Sequence, residues 1–250
     1  MPTFKGFRIA LGFLTILPFP AKQPFEENAL AKALPWFTWV GLLLGLIVAG
    51  AGVLLGRWFS PFTAAVLTII VWVLLSGGLH LDGLADCFDG LMVSASRERR
   101  LEIMKDPRLG TFAAIGLALY LLLKTAFVQE MIVEQTWIGL VFAATAGRAA
   151  VLLTVRQPSA RPGGLGDQVS RGASWPGLIF GLLPVLGSAV FEGLRGLLGM
   201  VFAGLMTMGI IRLAKRRIGG VTGDVHGFAI EMSELAVLMA YQIPFLINLS

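Results

Sequence analysis

A single cysteine, Cys87, in 250 residues excludes an internal disulfide, and with it a secreted disulfide scaffold. Charge is also sparse: 14% of residues are charged, against about a quarter in ordinary soluble domains. A chain so poor in charge cannot clothe a globule in water, which rules out a soluble enzyme and a disordered tail. The 31 glycines follow no G-x-y period, so collagen is excluded. No basic run is interleaved with aromatics, which argues against nucleic acid as a partner. Internal repeats, strand-like alternation and long linkers are missing too. What is present is apolar, with 56% hydrophobic residues and a mean hydropathy of +0.80. This is the composition of an all-α polytopic membrane protein, in which glycine lets helices pack closely.

Crossing about 30 Å of hydrocarbon takes roughly 20 mostly apolar residues. About seven such stretches are expected, near 36–56, 62–81, 111–128, 138–155, 176–192, 196–213 and 228–248. Each should be helical, because hydrocarbon offers no water to unpaired backbone groups. Ahead of them, Lys5 and Arg8 followed by Ile9–Phe19 imitate a signal peptide. Pro18 and Pro20 interrupt its end, no A-x-A-like site follows near Ala21, and the run is too short to span. An interfacial or re-entrant helix, retained in the mature chain, is expected instead. One integral-membrane domain over 1–250 is the economical organisation. With the N-terminus inside, all but four of the 20 Lys and Arg fall in cytoplasmic segments. Arg57 and Arg195 lie on the other side with Glu130, Glu134 and Glu192, while Lys124 and Arg148 lie within spans. The net charge of +5 is therefore read as topology, and Lys124, near a span's outer end, as snorkelling to the interface.

This topology brings segments 82–108, 156–175 and 214–227 to one side. In the first, Asp82, Asp86 and Asp89 stand at i, i+4 and i+7, within about 60° of one another on a helix. Three carboxylates on one face repel unless a cation sits among them, and hard oxygen ligands suit Mg²⁺; the plainer reading is a solvated helix end. His80 falls on the opposite face, as a packed histidine, and Cys87 is a small packing residue. Lys105 and Arg108 border a glycine turn, where they either hold a diphosphate or simply anchor the chain. Arg148 lies near mid-span, a costly place that makes it a functional candidate. The run Ala160-Arg161-Pro162-Gly163-Gly164-Leu165-Gly166 offers backbone amides to a phosphate, a weak signal alone. In the last segment Asp224 and Glu231, seven apart, suit metal binding or general-base work better than capping, and Glu234 is either beside them or a counter-ion to Arg148. His226 is read as packed at the interface.

The pattern Asp-x-x-x-Asp-x-x-Asp-Gly is similar to the CDP-alcohol phosphotransferases, whose Asp-rich helix holds metal and a nucleotide diphosphate. A lipid phosphotransferase of that type usually adds an Arg after the Asp-Gly pair and a later Asp-x-x-x-Asp, and that fuller pattern fails here. A cation-coupled transporter would carry its charges near the midplane of repeated halves. The chain more closely resembles the cobalamin synthase family, the adenosylcobinamide-GDP ribazoletransferases, from Gly12-Phe13-Leu14-Thr15-Ile16-Leu17-Pro18 to the final helix. The resemblance is carried by Gly78–Asp86 with Asp89-Gly90, and by Asp106 with Arg108-Leu109-Gly110-Thr111-Phe112. Arg161–Gly166 and Gly220–Asp224 leading to Glu231 and Glu234 complete it. Pro107, His226 and Phe228 depart from the family's usual residues.

The resemblance implies a CDP-alcohol phosphotransferase-like bundle in a prokaryotic inner or plasma membrane, with its active site on the cytoplasmic side and self-association left open. It implies an Mg²⁺-dependent transfer in which a hydroxyl of α-ribazole, or of its 5′-phosphate, attacks the cobinamide-linked phosphorus of adenosylcobinamide-GDP. GMP leaves, and adenosylcobalamin or its 5′-phosphate remains. In that analogy Asp82, Asp86 and Asp89 bind Mg²⁺, with Asp89 the favoured base and Asp82 also catalytic. Arg108 and Arg148 hold phosphates, with Lys105, Arg161, Gly163 and Gly164 as further phosphate contacts. Asp224 and Glu231 complete a metal site.

Overall fold

The computed structural model describes residues 3–18, 29–171 and 174–243, and among them the only regular structure is helical. The segment near Ala21, where no cleavage is expected, and the end of the last predicted span lie outside the described residues. Helix α1 (Phe4–Leu14) starts where the Thr3 hydroxyl accepts a hydrogen bond from the Gly6 amide, and it buries Ile9, Ala10, Leu11 and Leu14. It packs on α2 (Ala29–Ala33), a 3₁₀ turn (Leu34–Trp36) and α3 (Phe37–Gly56). Together, residues 29–56 make one apolar stretch long enough to cross a membrane.

Helix α4 (Pro61–Ser76) opens with Ser60 as its cap and Pro61 in its first turn, where a missing N–H costs nothing. It stops at Gly77 and Gly78, whose φ angles of +63° and +69° suit residues without a Cβ. Beyond them α5 (Leu79–Met92) runs at 94° to α4. The predicted second span, 62–81, is thus shorter than expected, because hydropathy continues through a backbone that turns away. We read α5 as lying outside the spanning segments. Next come α6 (Arg97–Ile103), α7 (Thr111–Val133), α8 (Ile138–Thr154), α9 (Leu165–Ser170), α10 (Trp175–Phe191), α11 (Gly193–Ile218) and α12 (Gly223–Ala240).

Helices α8 and α12 form the centre of the bundle. Nearly all of α8 is buried, and it packs against α3, α10, α11 and α12, while α12 also meets α5 and α7. Helices apolar on every side belong inside a bundle. Outer helices instead present apolar side chains outward, such as Ile115, Leu119 and Leu122 of α7 and Ile179 and Leu183 of α10. Among the described residues, 29–56, α7 and α11 are long and apolar enough to cross a membrane, and α4 with α5 adds a fourth only as a bent pair. Helices α8 and α10 are apolar but short at 17 residues each, and α12 carries three acids, so the count falls below the seven expected.

Candidate active site

Helices α5 and α12 cross closely because glycine stands at both contacts. A Cβ on Gly83 would lie 2.8 Å from the Asp224 carbonyl oxygen, and one on Gly227 would lie 3.3 Å from the His80 Cα. This crossing sets the Asp-rich helix beside the N-terminus of α12, which the Thr222 hydroxyl caps by accepting from the Val225 amide. Two loops complete the floor. The Ala160 amide donates to the Val221 carbonyl at 2.8 Å and the Val221 amide to the Pro158 carbonyl at 2.9 Å, stitching segment 156–164 to segment 219–222.

Between these pieces lies a cavity of about 260 Å³. Asp82 and His80 of α5, Asp224 and His226 of α12, Arg161 and Gly164 line it, and Phe13 and Leu14 of α1 close its apolar side. Three sequence segments expected on one side of a membrane thus converge. The Arg161 guanidinium donates to the Asp224 carboxylate at 3.2 Å and to the Leu101 carbonyl at 3.3 Å, and Thr222 donates to the same carboxylate at 3.1 Å. Its remaining buried Nε has no hydrogen-bond partner.

Carboxylates crowd one another here. Burial, followed by the Asp224 and Asp82 carboxylates, pushes the half-buried Asp86 carboxyl up to about 7, with Arg161 opposing and Asp89 adding to the rise. Oxygen donors crowded in this way suit a hard divalent cation. Among the described residues no three His, Cys, Asp or Glu side chains are grouped as a ready metal site. Mg²⁺ commonly takes only one or two protein carboxylates and completes its shell with water and phosphate oxygens, so the donor set fits that ion.

Other expected site residues lie elsewhere. Both Asp89 oxygens accept backbone N–H groups, from Gly110 at 2.7 Å and Ala113 at 2.9 Å, so Asp89 caps α7, whose own cap residue has no side chain. A helical wheel of α5 could not reveal that demand from another helix. Arg108 is exposed and forks onto Asp106 at 2.6 and 2.9 Å, holding that carboxyl down at about 2 by its side-chain hydrogen bonds. Lys105 is exposed on the same loop, and neither cation lines the cavity. The Gly163 amide donates to Asp167 at 3.0 Å and the Gly164 amide to the Arg161 carbonyl at 3.3 Å, so the amides expected to cradle phosphate are already engaged.

Arg148 and Glu231 also differ from expectation. Arg148 is fully buried and bonds the Glu234 carboxylate, as the counter-ion reading supposed, and it does not line the cavity. Lys124 does not snorkel: it is buried, with its Nζ 2.6 Å from Glu234 and 3.2 Å from Glu231. The Tyr120 hydroxyl donates to Glu231 and accepts from Lys124 at 2.8 Å. Two cations and two anions thus neutralise each other inside the bundle. His80 joins this network to the cavity, because Arg148 Nη2 lies 3.4 Å from its Nδ1.

Sequence reasoning missed Asp167, Thr222, Phe13 and Leu14 as cavity residues and took His226 as merely packed. For Thr222 and Asp167 the signal was adjacency to the glycine runs; for Phe13 and Leu14 it was only their place in the Gly12–Pro18 motif, since the fold alone lays α1 over the site.

Among the described residues, an all-helical apolar bundle around an acid- and arginine-lined cavity defines the class: a membrane-type helical protein with a polar cavity. A family profile described as cobalamin-5-phosphate synthase matches residues 6–242, and the chain belongs to that family. It is 38% identical to the adenosylcobinamide-GDP ribazoletransferase of Roseiflexus sp. (strain RS-1), over 92% of this chain and 86% of that one. The corresponding protein of Klebsiella pneumoniae (strain 342) is 37% identical, with 94% and 98% covered. That of Pseudomonas entomophila (strain L48) is 41% identical, with 93% and 96% covered. No solved structure matches.

Proposed function

We propose that this chain is an adenosylcobinamide-GDP ribazoletransferase that joins adenosylcobinamide-GDP to α-ribazole or its 5′-phosphate. The near-full-length identity to transferases of that name supports the reaction, and one juxtaposition supports the site: Asp82, Asp224 and Arg161 on a single cavity. A ribose hydroxyl of the ribazole attacks the phosphorus linked to cobinamide. The new P–O bond forms as the bond to GMP breaks, and the hydroxyl proton passes to a carboxylate.

Asp86 and Asp224 are the residues that would hold Mg²⁺, which supplies charge neutralisation on the diphosphate and its leaving group. That leaves Asp82, exposed to the cavity, to take the proton. It takes this role over Asp89, whose oxygens are committed to α7. Arg161 orients a phosphate oxygen from the Asp224 side. Arg148, Glu231, Glu234 and Lys124 hold α5, α7, α8 and α12 together beneath.

We further read the chain as one domain in a prokaryotic cell membrane. In this reading α4, α8, α10 and α12 cross together with the three longer spans, giving seven crossings, and the cavity faces the cytoplasm. The cation asymmetry supports that orientation. The likeness to CDP-alcohol phosphotransferase bundles rests on the Asp spacing alone. Membranes containing the protein should release GMP from adenosylcobinamide-GDP only when α-ribazole and Mg²⁺ are both present, and CMP release from a CDP-lipid should stay at background. GMP release independent of α-ribazole would sink the assignment.

A further inference from the structure

An open apolar groove of about 470 Å³ runs between α11 and α12 and shares no residue with the cavity. Phe202, Met206, Gly209 and Leu213 of α11 line one wall, and Phe228 and Met239 of α12 line the other. The α11 residues stand at i, i+4, i+7 and i+11, so they form one stripe along the helix. From 202 to 213 the helix rises about 16 Å, close to one leaflet of a hydrocarbon core about 30 Å thick. Continued by three and four residues, the stripe reaches Arg216 and Arg217, both exposed. A slot one leaflet deep therefore ends at paired cations where the inner head groups would lie.

We propose that this groove seats an acyl chain of an anionic phospholipid, with Arg216 and Arg217 holding its phosphodiester head group. Charge complementarity selects this occupant over a second copy of the chain. A two-fold contact along the stripe would set the same arginines of both copies against each other. Gly209 gives the slot its width, since a Cβ there would meet no atom within 4 Å. Gly209→Leu therefore fills the groove without displacing the protein. Gly204→Leu is its control, because Gly204 is equally open yet lies off the groove.

The test is native mass spectrometry of the full chain, delipidated in neutral detergent and offered phosphatidylglycerol or phosphatidylcholine with identical acyl chains. Phosphatidylglycerol should be retained about thirty-fold better, the effect of two cations near an anionic head group at about 1 kcal/mol each. Arg216→Gln with Arg217→Gln should abolish the preference, and Gly209→Leu should abolish retention, while Gly204→Leu keeps both. Equal retention of the two lipids, or unchanged retention in Gly209→Leu, would overturn the proposal. So would efficient disulfide dimerisation of a Leu205→Cys variant, since the native Cys87 is buried and could not account for it.

Discussion

At the scale of single residues, two kinds of charge must be told apart. Asp82 and Asp224 line the cavity and Asp86 lies near enough to feel their charge, whereas Arg148, Glu234, Lys124 and Glu231 satisfy one another in the bundle interior. Asp82→Asn should insert normally and lose at least about a hundredfold in kcat, the low end for a lost proton acceptor, measured by GMP release. Arg148→Met should instead lower stability by about 3–5 kcal/mol, the cost of stranding a buried partner, read as a drop in thermal midpoint in detergent. Adding Glu234→Met should recover part of it, because Lys124 keeps Glu231. For Asp86 the folded carboxyl titrates near 7 against an ordinary 3.8, so the folded chain holds an extra proton between those values. Its contribution to stability is present below about pH 4 and lost as pH rises through about 7. Without Mg²⁺ the thermal midpoint should fall across that window, more steeply than in Asp86→Asn, and Mg²⁺ should restore it at the upper end.

The positions of these residues were legible in the sequence where geometry is local. The placing of Asp82 and Asp86 on one helix and of Asp224 after a glycine run required only the chain. Asp89 had the same spacing and a different fate, decided by the uncapped start of a helix 21 residues further on. Lys124 looked like an interfacial lysine because its two partners lie 107 and 110 residues away.

At the scale of elements, the site is a crossing of α5 on α12, and glycines set its distance. Gly83→Val would drive a side chain into the Asp224 backbone and should separate the two acid-bearing helices. It should abolish turnover while leaving α7 and α11 inserted, checked by the same assay and by protease protection. Gly78→Ala meets no neighbour, so its cost is the left-handed backbone alone, about 1–2 kcal/mol. The bend at Gly77-Gly78 was visible as a glycine pair, yet Leu79 and Leu81 carried the apolar run past it. Hydropathy counts side chains and cannot register a φ of +63°.

At the scale of the whole molecule, sidedness is the property most open to test. Ser96→Cys and Gly219→Cys should react with an impermeant maleimide only from the cytoplasmic side, and Glu134→Cys only from the opposite side. Labelling of Ser96 and Gly219 from different compartments would leave no room for a shared cavity. The fully buried Cys87 should contribute no background.

The Asp89 clasp on α7 links the Asp-rich helix to the long apolar helix that follows it. With 23 residues α7 is about 35 Å long, a few ångströms more than an average hydrocarbon core, a mismatch that tilting of the helix relieves. Because its first turn is fastened to the carboxylate that ends the Asp-rich run, a change of lean pulls on the segment bearing Asp82 and Asp86. Host vesicles of progressively shorter lipid tails would thus act as a mechanical dial on the rate of the reaction.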